Sequence, residues 1–342
     1  MSVLVTGSTG FIAQHVISQL LDEKFSVIAT ARSEAKATHL KSLFGNPSSL
    51  TMVVVPDMIK PDAFYGVFEK YGPSIKYVMH VASPFFTESD DYKRDLLTPA
   101  VEGTKNILDA VKKFGAETVE HVVVTSSVAA MFDFTRDADP SYIYNEDSWN
   151  PDEMEQALID GGHAYNASKK FAEKLAWKFV EDNKDSVKFK LTTVNPCYVF
   201  GPQQFDENFR PVLNTSCELI HQLTHAGANA TVDNEFVGNF IDVRDVAKAH
   251  VAAIQNPGLS GKRLLMISSR FNAQDIYDVM NEDFPELQGK IPKGHPGTGA
   301  LHHWEGAVAD NTRTKKLLGF PFNPLRKTID DTVAQIIRCE KK

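Results

Sequence analysis

The stretch Val3-Leu4-Val5-Thr6-Gly7-Ser8-Thr9-Gly10-Phe11-Ile12-Ala13 opens the chain with an apolar run, a glycine-punctuated turn and the start of a helical pattern. Such a turn needs backbone without Cβ where it passes close to other groups, which Gly7 and Gly10 supply, while Ala13 lets the next helix lie close to the sheet. The first N–H groups of that helix point into the turn, where a phosphate oxygen suits them. Gly7, Thr9, Gly10, Phe11 and Ile12 are therefore candidate pyrophosphate-binding residues, although a tight strand-to-helix turn without a ligand uses the same residue types.

Outward from that turn, β-branched runs at 3–5, 26–30, 52–55, 77–81 and 120–125 each precede a helix-like segment. The helical segments are 11–23, 34–44, 62–71 and 95–114, with Ser33 a suitable N-cap before Glu34. This alternation predicts an α/β fold with a Rossmann-type, doubly wound parallel sheet. A helix over 164–182 and a strand over 188–194 continue the pattern, the strand ending at Asn195-Pro196. Beyond it, segments rich in Gly, Pro, Asn and Phe interrupt helices at 215–224, 273–282 and 325–338. They suggest a smaller, mostly C-terminal substrate lobe. A strand and helix over 240–255 bring the chain back, giving a dinucleotide domain of 1–195 plus about 225–258 and a lobe of about 196–224 plus 259–342.

With 342 residues, 42% of them hydrophobic, the chain can bury a large core. A net charge of -8 argues against nucleic acid as partner, because neutralising phosphates takes a clustered basic surface. No apolar run is long enough to span a bilayer, and the chain enters a strand directly where a signal peptide would carry basic and then apolar residues. A cytoplasmic enzyme, with no membrane partner, is expected. Cys197, Cys217 and Cys339 lie far apart, which argues against a disulfide framework or zinc site. His302-His303-Trp304 reads as a solvated loop, so no metal is expected.

The end of the second strand carries no carboxylate to hold ribose hydroxyls; Arg32 stands there, and Lys36 follows one helical turn later. A guanidinium and an ammonium can pair with a 2′-phosphate, which favours NADP over NAD; a solvated helix start is the plainer reading of the same two cations. Asp57 can accept a hydrogen bond from the adenine amino group or simply serve a turn. Ala82, after His80-Val81, falls where small side chains line the cofactor crevice.

Tyr165 and Lys169 stand four residues apart in a helical stretch, hence on one face. Carbonyl reduction needs a hydride and a proton for the developing alkoxide, and Tyr165 is the candidate donor. A neighbouring ammonium is expected to lower the phenol pKa from about 10, and Lys169 also reaches toward the nicotinamide ribose. Ser127, at the carboxyl end of the fifth strand, is the hydroxyl chosen to polarise the carbonyl, with Ser126 the alternative if the alternation runs one residue differently.

These motifs, together with 195–202 and 240–247, closely resemble the extended short-chain dehydrogenase/reductases. Ala82-Ser83-Pro84-Phe85 and the run 169–174 narrow the resemblance to the yeast NADPH-dependent methylglyoxal and 3-methylbutanal reductase group, related to plant dihydroflavonol and cinnamoyl-CoA reductases. The resemblance implies NADPH-linked reduction of aldehydes and ketones, with aryl and aliphatic ketones and keto esters among them. It also implies a Ser127, Tyr165, Lys169 triad, a 2′-phosphate held by Arg32 and Lys36, and Pro196 and Val199 at the nicotinamide. Phe85, Val128, Phe132 and Tyr198 lie beside the motifs as candidate pocket walls, although phenylalanine is more often core. Where that group often has an aromatic residue after the serine, this chain has Val128. The competing functions are a nucleotide-sugar epimerase or dehydratase that retains NAD, and a non-catalytic NADP sensor. A monomer or homodimer is expected.

Overall fold

Seven parallel strands form the centre of the computed structural model, which describes residues 1–82, 89–210 and 212–341. In chain order the first half contains β1 (Ser2–Thr6), α1 (Phe11–Asp22), β2 (Ser26–Ala31), α2 (Glu34–Leu43), β3 (Leu50–Val54), α3 (Tyr65–Tyr71), β4 (Ile75–His80), α4 (Thr98–Phe114), β5 (His121–Thr125), β6 (Ile143–Tyr144) and α5 (Gly161–Asp182). Then come β7 (Lys190–Pro196), β8 (Tyr198–Phe200), α6 (Thr215–Thr224), β9 (Gly238–Asp242), α7 (Val243–Gln255), β10 (Arg263–Met266), β11 (Ser269–Phe271), α8 (Ala273–Asp283), β12 (Val308–Ala309), α9 (Thr312–Leu318) and α10 (Leu325–Glu340).

The sheet order β3-β2-β1-β4-β5-β7-β10 reverses direction between β1 and β4, the Rossmann arrangement that opens a crevice at the carboxyl ends of the strands. Strand alternation divides the core. Val3 and Val5 face the helices α1, α2 and α7, whereas Leu4, Val122 and Val124 face α3, α4 and α5. Because helices cover both faces, β1 is buried along its whole length, which is why it reads as an apolar run instead of an alternating one.

A second sheet, β11-β9-β8, joins α6, α8 and α10 around Phe200, Phe240, Phe271, Met280 and Ile329 to build the smaller lobe. Two elements fall on the other side of the expected division. β9 belongs to this small sheet although the dinucleotide domain was expected to hold it, and β10 extends the main sheet beyond the expected boundary near 258. Arg263-Leu264-Leu265-Met266 is too short for a period, and its pairing with β7 makes it a strand. The helix expected over 95–114 opens as a π-helical turn over Lys93–Leu97 and becomes α-helical at Thr98, with Pro99 just past the change. The expected 62–71 helix shortens to α3.

Candidate active site

A cleft of about 650 Å³ runs along the carboxyl ends of β1, β2, β4, β5 and β7. Its wall at β1 is the glycine turn. Gly7 has φ +67°, and a Cβ there would lie 2.8 Å from Cα of Ala82, so only glycine fits the close approach of the turn to the end of β4. The Ala82 N–H donates to Oγ1 of Thr6 (3.2 Å), and Gly10 N–H donates to Gly7 O (2.9 Å), holding the turn closed. Gly10 is the N-cap of α1 and gives it no side-chain cap, which leaves the helix's first N–H groups facing the cleft, as an anion-binding turn requires. Gly7, Thr9, Gly10, Phe11, Ile12 and Ala82 all line it.

Arg32 and Lys36 line the β2 end of the cleft and are exposed, as their long, hydrated side chains favour. Asp57 itself is not on the lining; its Oδ1 accepts from the Ile59 N–H at 3.1 Å, while its neighbours Val55 and Met58 do line it. The other end holds Ser127, Tyr165, Lys169, Pro196 and Val199.

Helix α5 positions Tyr165 and Lys169. Asp160 caps it by accepting from His163 N–H (2.9 Å), and Glu173, fully buried one turn after Lys169, fastens it to the sheet. The Glu173 carboxylate accepts from Ser126 Oγ (2.5 Å), Asn195 Nδ2 (2.7 Å), Thr193 Oγ1 (3.1 Å) and Arg263 Nε (2.6 Å). A buried carboxylate satisfied this completely sets the register of α5 against β5, β7 and β10. It also separates the two serines. Ser126 gives its hydroxyl to Glu173, whereas Ser127 hydrogen-bonds Tyr165, accepts from the Ala129 N–H (3.2 Å) and makes a long contact to Pro196 O (3.3 Å).

The electrostatics correct one expectation. The Tyr165 pKa is raised, not lowered: burial is the largest cause, the Ser127 hydrogen bond opposes it, and the nearby Tyr198 adds to the rise. The Lys169 Nζ lies 5.6 Å from the centre of the tyrosine ring, and burial lowers its own pKa to about 8. His80 is buried behind them, held neutral by burial and by the Lys169 charge with its pKa near 3, and paired with Thr6 Oγ1 at 2.9 Å. Burial also pushes the Cys197 thiol well up, leaving an inert group that donates to Met266 O (3.2 Å).

Among the expected pocket walls, Phe85 lies outside the described residues. Val128 is half-buried beside Ser127. Tyr198 is 39% exposed, edge-on to Phe236 (5.4 Å) and Phe271 (5.8 Å). Phe132 is 6% exposed and packs among Phe134, Tyr142 and Tyr144 in a satellite core; like Val128 and Tyr198, it is not on the lining of the cleft. Sequence reasoning missed Met58, Phe64 and the run Leu213-Asn214-Thr215-Ser216, which line the cleft from the segment between β3 and α3 and from the start of α6. The start of α6 was legible from its pattern, but nothing local says that this helix end faces the glycine turn. His302 and His303 join no cluster of three ligating groups among the described residues.

The sequence pattern described as the NAD dependent epimerase/dehydratase family matches residues 3–266. The chain is 53% identical over 340 residues to the NADPH-dependent methylglyoxal reductase GRE2 of Saccharomyces cerevisiae, with 99% of each chain covered. Its fold matches the crystal structure of yeast methylglyoxal/isovaleraldehyde reductase Gre2 complexed with NADPH with a TM-score of 0.97 and 53% identity, over 100% of this chain and 99% of that one. The structure of Gre2 in complex with NADPH from Candida albicans matches with a TM-score of 0.95 at 43% identity, over 99% of both chains. A family pattern covering most of the chain, together with a half-identical relative of the same length and fold, makes this protein a member of the NAD dependent epimerase/dehydratase family.

Proposed function

We propose that this protein is an NADPH-dependent carbonyl reductase that converts aldehydes and ketones, methylglyoxal and 3-methylbutanal among them, to alcohols. One observation carries the reading: a cleft with hydrogen-bonded Tyr165 and Ser127 hydroxyls at one end, and Arg32 and Lys36 at the other. The Cβ-free turn and uncapped start of α1 between them fit a diphosphate. Arg32 and Lys36 would hold the 2′-phosphate, Asp57 the adenine side, and Pro196 and Val199 would border the nicotinamide.

When bound, the reduced nicotinamide supplies the hydride to the carbonyl carbon. Ser127 turns its hydroxyl from Pro196 O to the carbonyl oxygen, which polarises the carbonyl and holds it against Tyr165. Tyr165 then gives its proton to the developing alkoxide. A phenol pKa raised by burial keeps that proton in place at neutral pH, as a donor requires, and the Lys169 ammonium stabilises the phenolate left behind. Val128 and Tyr198 face the organic part of the substrate, with Phe132 packed in support. The reading extends to a cytoplasmic monomer or homodimer, and to a main domain that holds the cofactor beneath a lobe that selects substrate.

Purified protein incubated with NADPH and methylglyoxal should oxidise one NADPH per carbonyl reduced. Sugar-nucleotide conversion without net cofactor use would instead support the epimerase. Tight NADPH binding with no turnover across a carbonyl panel would support the sensor.

A further inference from the structure

On the far side of the smaller lobe, the end of α6 meets the end of α10. His221 and His225, one turn apart, both direct Nε2 at the same carboxylate oxygen, Oε1 of Glu340, at 3.0 and 3.2 Å. We propose that His221, His225 and Glu340 form a binding site for a borderline divalent cation of the Zn²⁺ class, which clasps the C-terminal helix to α6.

The opposite ring nitrogens make the argument. His221 Nδ1 lies 3.4 Å from the Glu218 carboxylate, and Glu218 is itself held by the Leu213 N–H at 2.8 Å. His225 Nδ1 lies 2.9 Å from the backbone carbonyl of His221 and 2.9 Å from Thr224 Oγ1. The Thr224 hydroxyl donates to that same carbonyl at 2.6 Å, so its oxygen is left to accept from His225. His225 thus has acceptors at Nδ1, which draws its ring proton there and turns its Nε2 lone pair toward Glu340, while His221 stands between two carboxylates, Glu340 at 3.0 Å from Nε2 and Glu218 at 3.4 Å from Nδ1. A cation that takes the place of the proton between His221 and Glu340 would leave Glu218 to accept from His221 Nδ1 and would meet both Nε2 lone pairs and the Glu340 carboxylate at once. The arrangement matches that of metal-bound histidines, whose second nitrogen donates to a carboxylate or carbonyl that orients the ring.

The dimensions agree. Ligands about 2.0–2.1 Å from a tetrahedral Zn²⁺ stand about 3.3 Å apart, and the ligand atoms of the three residues all lie within 4.8 Å of one another. Two imidazoles and one carboxylate suit Zn²⁺, Co²⁺ or Ni²⁺, whereas Mg²⁺ and Ca²⁺ demand more oxygen ligands. His221 is mostly buried, with its side chain 15% exposed, while His225 and Glu340, at 53% and 35%, leave a path from solvent. A bound cation would brace α6, whose other end carries Thr215 and Ser216 into the cleft. It takes no part in hydride or proton transfer.

The test uses tag-free, chelator-treated full-length protein titrated with Co²⁺ alone, followed by its absorption bands, and with Zn²⁺ alone by competition against a chromogenic chelator. One cation per chain is expected, with a rise in melting temperature as binding favours the folded state. His225→Gln and Glu340→Gln each alter an exposed ligand, so both variants should fold. Each should weaken binding more than about tenfold and abolish the melting shift, with the rate of NADPH oxidation unchanged. Absence of stoichiometric binding to the unaltered chain overturns the proposal, and so does equal affinity in both variants. The first outcome would mean that protons alone neutralise the cluster.

Discussion

Lys169 and Lys170 are adjacent on α5 and both are buried, yet their surroundings differ completely. Lys170 Nζ donates to Asp152 O (2.6 Å) and Glu153 Oε1 (2.7 Å), fastening α5 to the loop before it. Lys169, turned about 100° round the helix, faces the cleft, and burial has lowered its pKa to about 8. The contrast separates two uses of a buried charge. Where protein acceptors surround it, the charge holds structure; at the edge of a cleft, it is placed to act on what binds there.

Several substitutions would break or sharpen that contrast, and the largest effect belongs to the residue Lys169 attends. Tyr165→Phe removes the proton donor and should lower kcat by about a hundredfold to ten-thousandfold with NADPH affinity retained. Steady-state rates and a binding titration measure the two, and near-normal turnover would reject Tyr165 as donor. At the other end of the cleft, Arg32→Asp should weaken NADPH relative to NADH by about tenfold to a hundredfold, the loss of one charge-assisted contact. An unchanged cofactor ratio would dismiss the phosphate role.

Lys170→Met should do the opposite of a catalytic change. It leaves the Asp152 carbonyl without its partner and should cost about 1–3 kcal/mol in urea unfolding, with kcat little altered. A large loss of kcat in a folded variant would erase the distinction between the two lysines. The smallest effect is the pH profile. Lys169 is an ammonium below about 8, so kcat/KM for reduction should fall as pH rises through that value. Stability should move the other way. The folded pKa lies below the ordinary 10.5, so between about 8 and 10.5 the unfolded chain binds more protons and the burial penalty of Lys169 fades as pH rises. Lys169→Met should flatten that slope in unfolding measured across the window.

The same division runs through what could be read in advance. The parallel sheet was legible because its strands are apolar runs between helical periods, and β1 through β5 lie within a few residues of their expected places. α6 was located to the residue, at Thr215–Thr224, yet its place at the cleft was hidden. β10 and β11, four and three residues long, were invisible because so short a segment has no period of its own. Phe132 shows the limit for single side chains: a phenylalanine near a motif packs as readily into a satellite core as into a wall.

The amino-acid order alone determined the glycine turn, the one-turn spacing of Tyr165 and Lys169, and the cationic end of β2, because each depends on Cβ volume, helical period or charge among near neighbours. Only the tertiary structure decided that Ser126 serves Glu173 while Ser127 meets Tyr165, that burial raises the phenol pKa, and that two helix ends bring His221, His225 and Glu340 together. Desolvation and convergence arise from groups distant in the chain, and no local pattern encodes which of them will arrive.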